Sequence, residues 1–355
     1  MRKAPGAGLA NVSESTTRQT QRAFVIRHSI VIPTYGRPET LRQCLSACAR
    51  LSYDRDIIEV VVVDDGNHEA TRRVVTEFGH LLHLLYVPQP ERTGPAKARN
   101  AGAAKASGEY IAFIDDDCAP EPGWLDGLDR VFMDEKEPVA VGGRTLSTFE
   151  DNVYATASQN LVDFLYEWYN ADPRHARFFA SNNFACPRAA FWEISGFDGG
   201  FPRAAAEDRD FCDRWREHGH RLVYGPEAVV RHRHRLTFGS FIRQHVGYGR
   251  GAVYLHRGRE RRGLSRPRLE PMSFYWRLVT YAVGKGFGAR TPALVVLAFI
   301  SQAAYATGYY GERFQQRSLK PASAEPHDAP VAAATLAKDP PEGSSPMKSE
   351  RHQVG

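Results

Sequence analysis

The run Glu109-Tyr110-Ile111-Ala112-Phe113-Ile114-Asp115-Asp116-Asp117 sets an apolar strand directly against three consecutive carboxylates. Buried strands do not tolerate unpaired charge, and adjacent carboxylates repel one another unless positive charge sits among them. A divalent cation that favours hard oxygen ligands, Mn²⁺ or Mg²⁺, answers that need. The competing reading is a strand end followed by an Asp-rich turn, for which Pro120, Pro122 and Gly123 supply the turn chemistry.

Upstream, apolar runs alternate with helical patterns. Residues 29–33 form a short buried strand stopped by Pro33, and Pro38 opens a helix that buries Leu41, Cys44, Leu45, Cys48 and Leu51 at three/four spacing. A second strand at 57–63 runs into Asp64-Asp65-Gly66, and a helix fits 69–78. A third strand at 81–87, an Ala-rich helix at 95–106 and the strand at 109–114 complete the series. Continuous apolar strands separated by helices predict an α/β fold, a mostly parallel sheet flanked by helices. Ligands of such sheets bind beyond the carboxyl ends of the strands. Those ends carry Thr34-Tyr35, Asp64-Asp65 and the Asp triplet. Tyr35 offers an aromatic face for a base and Asp64 an acceptor for a ring N–H. Lys97, Arg99 and Asn100 follow the start of a helix, where phosphate is favoured, although a solvated face is the plainer alternative. Together these pieces describe a site for a nucleoside diphosphate.

The 355 residues, 42% hydrophobic and 25% charged, have the composition of a globular protein. A net charge of +5 is too weak to imply nucleic acid. Five cysteines without a CxxC pair suggest neither a disulfide framework nor a zinc site, and a reducing cytoplasm fits them. Residues 1–23 read as a disordered leader and 315–355 as a disordered tail. Between them lie a folded body at 24–240, divided into a nucleotide half (24–120) and a second half (121–240), and a helical extension at 241–314.

Six motifs in order resemble the family 2 glycosyltransferases of GT-A fold. They are Ser29-Ile-Val-Ile-Pro-Thr-Tyr-Gly-Arg-Pro, Val61-Val-Val-Asp-Asp-Gly, Arg99-Asn-Ala-Gly, Phe113-Ile-Asp-Asp-Asp-Cys-Ala-Pro, Gly196-Phe-Asp and Glu207-Asp208. The resemblance implies transfer of a single sugar, with inversion, from a nucleotide-diphosphate sugar to an acceptor hydroxyl, assisted by Mn²⁺ or Mg²⁺. It places Pro33, Tyr35, Arg37, Asp64, Lys97, Arg99, Asp115 and Asp116 at the nucleotide, and Asp117, Asp115 and His232 at the metal, with His234 as the alternative histidine. Asp208 matches the family's base, with Glu207 beside it. Without the resemblance, the Glu207-Asp208 pair simply favours a helix start at 209. Asn182, Asn183 and Trp192 are expected on the acceptor side. Trp215 is expected in the core, since Asp213-Arg214-Trp215 is not the QxxRW signature of processive synthases.

Residues 291–311 carry no charge and reach the roughly 20 residues that span a bilayer. Their polar content, and six arginines between Arg257 and Arg268, point instead to peripheral attachment at the cytoplasmic face of a membrane, where the acceptor could be lipid-linked. A true span and a helix packed on the catalytic body are the alternatives. Two other functions compete with sugar transfer. A nucleotidyltransferase needs a Gly-rich phosphate loop after the first strand, and Pro33-Thr-Tyr-Gly-Arg-Pro is a poor one. A non-catalytic nucleotide-sugar-binding protein has no use for a base.

Overall fold

The computed structural model describes residues 26–149, 151–264 and 270–318. The leader and most of the tail expected from sequence lie outside these residues, as do two of the six arginines, Arg266 and Arg268. Eight strands form one sheet: β1 (His28–Thr34), β2 (Ile58–Asp65), β3 (Leu84–Gln89), β4 (Tyr110–Ile114), β5 (Cys118–Pro120), β6 (Val139–Ser147), β7 (Asn183–Pro187) and β8 (Arg221–His232), in the order β3-β2-β1-β4-β7-β6-β8-β5. The helices are α1 (Pro38–Cys48), α2 (Glu69–Phe78), α3 (Pro95–Lys105), α4 (Trp124–Asp134), α5 (Val153–Tyr169), α6 (Arg188–Glu193), α7 (Glu207–Glu217), α8 (Phe238–Arg261), α9 (Met272–Gly284) and α10 (Thr291–Ser318). Helix α10 therefore continues past residue 314, where sequence composition suggests a tail.

The first four strands are parallel, and β1, β2 and β4 carry the apolar runs of strands covered on both faces. Ile30 and Ile32 of β1 point into one core cluster and Val31 into the other. Gly102 of α3 lets the helix lie against the sheet, since a Cβ there would come within 2.4 Å of Val31. Beyond β4 the parallel pattern breaks. Strand β7 runs antiparallel to both β4 and β6, and β5 antiparallel to β8, while β6 and β8 pair in parallel, so the sheet is mixed with parallel pairs in the majority, as expected. Only long-range pairing decides this, and no local pattern in β6 or β7 reports it.

The chain runs from β1 outward to β3, then returns to the other side of β1 as β4. The crevice where the direction reverses is the usual ligand position in such sheets. Thr34 and the Asp triplet face each other across it.

The C-terminal helices pack on this body. Helices α8 and α10 approach so closely that a Cβ on Gly249 would meet the Tyr305 carbonyl at 1.9 Å, and one on Gly308 the Val246 carbonyl at 2.0 Å. Phe164 and Trp168 of α5 meet Phe274 of α9 edge to face. Three of the described arginines counted toward lipid are otherwise engaged: Arg259 pairs with Asp213, Arg261 with Asp198, and Arg262 with Asp210 and Glu217. They clamp α8 against the catalytic body.

Candidate active site

Each member of the Asp triplet has a positive neighbour, Arg37 serving two of them. The side chain of Asp115 accepts from Arg99 at 2.7 Å. Asp116 is fully buried, accepts from Thr34 Oγ1 at 2.6 Å and pairs with Arg37. Burial pushes its carboxyl up to about 7 in spite of Arg37, and the charge on Asp117 adds to that rise. Asp117 pairs with Arg37 at 3.0 Å and approaches His232 Nε2 at 3.4 Å and His234 Nδ1 at 3.7 Å. Burial opposes its ionisation, but the two histidines hold the Asp117 carboxyl well below the usual range. Protein cations thus answer part of the repulsion that sequence alone assigns to a metal.

The histidines arrive by strand pairing. Residue Cys118 of β5 is registered opposite His232 of β8, and the Arg233 N–H donates to the Asp117 carbonyl at 2.7 Å. His232 and His234 lie on one side with ring centroids 5.2 Å apart, as alternation along an extended chain requires. Asp117, Cys118 and His232 offer donor atoms within 4.8 Å of one another. The Cys118 thiol is buried, which raises its pKa well above the usual value, and a soft sulfur donor suits Mn²⁺ or Mg²⁺ poorly. The remaining carboxylate and imidazole donors, with His234 beside them, fit a divalent cation of the Mn²⁺ or Mg²⁺ type.

Arg99 occupies a different place from the one its motif suggests. It is 3% exposed and bridges Asp115 and Glu207, the latter at 3.1 Å. It joins the two halves of the site from below and does not present itself to a phosphate. Glu207 opens α7 after Ala206, whose φ of 70° is costly for a residue with a Cβ, by roughly 1–2 kcal/mol. Helix α8 braces this turn, since a Cβ on Gly251 would lie 2.3 Å from the Ala205 carbonyl. Such strain collects where geometry matters. Burial, helped by the neighbouring Asp208, pushes Glu207 up to about 7 against the pull of Arg99. Burial likewise raises Asp208, with its own N-terminal contact to the Arg209 N–H at 2.8 Å opposing the rise. A raised carboxyl is a stronger base near neutral pH.

Other expected residues fall differently. Tyr35 is 42% exposed at the crevice, stacked edge-on with His68. Pro33 is buried inside β1 and shapes the turn that follows. The exposed Lys97 lies along Gly199, whose added Cβ would be 3.1 Å from its chain. Asn182 keeps its Oδ1 buried with no partner among the described residues, which suits an acceptor-side role. Asn183 does not suit one. It is fully buried, accepts from Trp124 Nε1 at 2.9 Å and donates to the carbonyls of Arg144 and Ala228, so it is a strut joining α4, β6, β7 and β8. Trp192 is also displaced from its expected place. Helix α6 starts opposite Tyr110, at the far end of β4 from the Asp triplet. Trp215 is buried, with its indole N–H on the Arg221 carbonyl.

Sequence patterns miss several groups here. Tyr248 of α8 is pushed up to about 12 by burial and by the charges of Asp208, Glu207 and Asp115, with Gln244 opposing. Asp65 holds the start of α3, accepting from the Thr93 and Gly94 N–H groups at 2.6 and 2.8 Å. A cavity of about 210 Å³ opens beside the Ala205 turn, lined among others by Arg203, Arg250, Tyr254 and Glu312.

An α/β sheet with a carboxylate cluster at its switch point and a second carboxylate pair on a helix beyond it is the GT-A arrangement. The Glycosyl transferase family 2 profile matches residues 29–195, and this segment is a family 2 glycosyltransferase domain. The chain is 26% identical over 235 residues to the protein named "Probable glycosyltransferase YdaM" of Bacillus subtilis, covering 64% of this chain and 55% of that one. It is 30% identical over 232 residues to the pre-mycofactocin glycosyltransferase of Mycobacterium tuberculosis, covering 64% of this chain and 47% of that one. It is 27% identical over 220 residues to the glucosyl-dolichyl phosphate glucuronosyltransferase of Haloferax volcanii, covering 58% and 68%. The chain therefore spans about half the length of the first two. Among solved structures, the mannosyltransferase PcManGT from Pyrobaculum calidifontis, in complex with GDP-Man and Mn²⁺, superposes with a TM-score of 0.58 at 16% identity. That superposition covers 81% of this chain and 88% of PcManGT, and it shows a shared fold.

Proposed function

We propose that this chain transfers one sugar from a nucleotide-diphosphate donor to an acceptor hydroxyl with inversion, Asp208 acting as the base. The observation that carries this reading is the buried Asp115–Arg99–Glu207 bridge, which fixes the donor-side carboxylates and the Glu207-Asp208 turn relative to one another. Asp208 takes the proton of the acceptor hydroxyl as that oxygen bonds to the anomeric carbon from the face opposite the leaving group. The anomeric C–O bond to phosphate breaks, and its electron pair leaves with the nucleoside diphosphate. Asp117, Asp115 and His232, with His234 adjacent, would hold the Mn²⁺ or Mg²⁺. When bound, the cation would stabilise the charge gathering on the departing diphosphate. Arg37 orients the carboxylates of Asp116 and Asp117 on the same side.

Cation dependence is tested with a chelator. Turnover is expected to vanish in EDTA and to return with Mn²⁺ or Mg²⁺, and Asp117→Ala is expected to weaken donor binding along with turnover. Full activity in chelator would contradict the cation.

A lipid-linked acceptor at the cytoplasmic face of a membrane is part of the same reading. The relative that acts on a glucosyl-dolichyl phosphate supports it, and so does the surface of the C-terminal helices. Met272, Trp276 and Val283 of α9 and Val296, Phe299, Tyr310 and Phe314 of α10 are all exposed. By length and composition, the helix at Gly288–Gln316 could cross a bilayer. Because α10 is docked on α8 along one side, we favour a helix pair lying on the membrane with its apolar side chains in the interface. The intact chain is expected to sediment with lipid vesicles, and Trp276→Ser/Phe299→Ser to release it into the supernatant. Failure of the intact chain to sediment at low salt would contradict attachment.

A further inference from the structure

Sequence reasoning gives Asp64 the task of accepting a ring N–H from the donor's base. In the structure Asp64 is fully buried and already occupied. Its Oδ2 accepts from the His68 backbone N–H at 2.6 Å and from the Tyr86 hydroxyl at 2.8 Å, and its Oδ1 lies 2.8 Å from His68 Nδ1. We propose that His68, held by Asp64, is the residue that reads the base, and that it restricts the donor to bases with a ring N–H: uracil, thymine or guanine, not cytosine or adenine. The proposal rests on the donor site described above and deepens it.

The carboxylate fixes what His68 can offer. The tautomer that sets its proton on Nδ1, toward the Asp64 carboxylate, leaves Nε2 with a lone pair. The imidazole is 32% exposed where Asp64 is wholly enclosed, so the acceptor reaches the crevice only through the ring. Two glycines make room for it. A Cβ on Gly66 would meet His68 Cε1 at 2.5 Å and Tyr35 Cε2 at 3.0 Å, and its φ of +149° disfavours a side chain as well. Gly36 lies under Nε2, where a Cβ would be 3.5 Å away. The Tyr35 ring stands at 84° to the imidazole with centroids 4.9 Å apart, and the exposed Arg92 guanidinium lies 4.2 Å over that ring. A flat base slipped against Tyr35, beneath or in place of Arg92, presents its edge to His68. Uracil N3–H, thymine N3–H and guanine N1–H donate to Nε2. Cytosine N3 and adenine N1 set a lone pair against a lone pair.

The test is calorimetric binding of UDP, CDP, GDP and ADP to the full chain with Mn²⁺ present. UDP is expected to bind at least about 10-fold tighter than CDP, or GDP than ADP, because a polar group left facing the wrong partner is costly. In His68→Phe, which keeps a ring without nitrogen, that preference should shrink to within about 3-fold while diphosphate binding persists. His68→Gln, whose amide can turn either way, should lose the preference too and covers the case in which His68→Phe unfolds. A preference that survives both variants overturns the assignment to His68 alone and leaves the donor site standing. Equal binding of all four by the unaltered chain does the same. Binding of none overturns the donor site and this proposal with it.

Discussion

Asp208→Asn is expected to lower turnover by about 10²–10⁴-fold, the usual contribution of a positioned general base. The amide keeps the size of the carboxylate, and the Arg209 N–H that donates to Asp208 keeps an oxygen to meet. Donor affinity should change little, because the proposed mechanism sets Asp208 toward the acceptor and the Asp117 cluster is untouched. The pH profile gives a second readout. The base works when deprotonated, so activity falls as pH drops through its pKa. Burial raises both Asp208 and Glu207, the latter to about 7, and the two titrate as a pair. The acid limb of kcat/KM should therefore lie above the ordinary carboxylate range, and Asp208→Asn should remove it. Near-normal turnover with an unaltered limb would move the base to Glu207.

The second large effect is expected at Arg99. Arg99→Met keeps the volume but leaves Asp115 and Glu207 without their cation. Removing one partner from a buried ion pair costs about 3–5 kcal/mol. Glu207 can offset part of this by taking up a proton, so we expect the lower end, roughly a 5–10 °C fall in melting temperature. The sign with pH follows. Without Arg99 the folded-state pKa of Glu207 rises further above its unfolded value. The variant is then closest to the parent protein at acid pH and loses ground as pH rises through that pKa. Thermal unfolding at pH 5.5 and 8 checks this; a deficit that shrinks as pH rises would contradict the bridge. Arg99→Lys should recover part of the stability, since it keeps the charge but not the two-pronged geometry.

How much of this was legible beforehand depended on range. The parallel strands are written locally: β1 and β2 each carry an unbroken apolar stretch, at 30–33 and 60–63, and their polar ends mark the crevice. The Asp triplet and the Glu207-Asp208 pair were visible for the same reason, as charges placed next to buried elements. What escaped depends on partners far along the chain. Arg99 meets Glu207 across 108 residues and Asn183 meets Trp124 across 59, and neither contact leaves a periodic trace. A buried Asn and an acceptor-binding Asn look alike until the donors around them are known. The same holds for Asp64, whose lone pairs were assigned to a ligand although His68 and Tyr86 use them. The arginines of α8 read as a lipid-facing cluster because their acidic partners sit on α7 and in the loop before it. Strand direction beyond β4 also went unread, since antiparallel pairing of β7 is fixed by tertiary context and not by its five residues.

The most direct measurement is release of nucleoside diphosphate from a panel of UDP-, GDP- and TDP-sugars, with water as the surrogate acceptor. It is run with Mn²⁺ on the full chain, on Asp208→Asn and on Asp117→Ala. The expected result is slow release from at least one donor by the unaltered chain. Asp208→Asn should reduce that release by about 10²–10⁴-fold with donor binding intact, and Asp117→Ala should abolish it with donor binding weakened. Release that is indifferent to Asp208→Asn, or no binding and no release with any donor, would contradict a glycosyltransferase working through these residues.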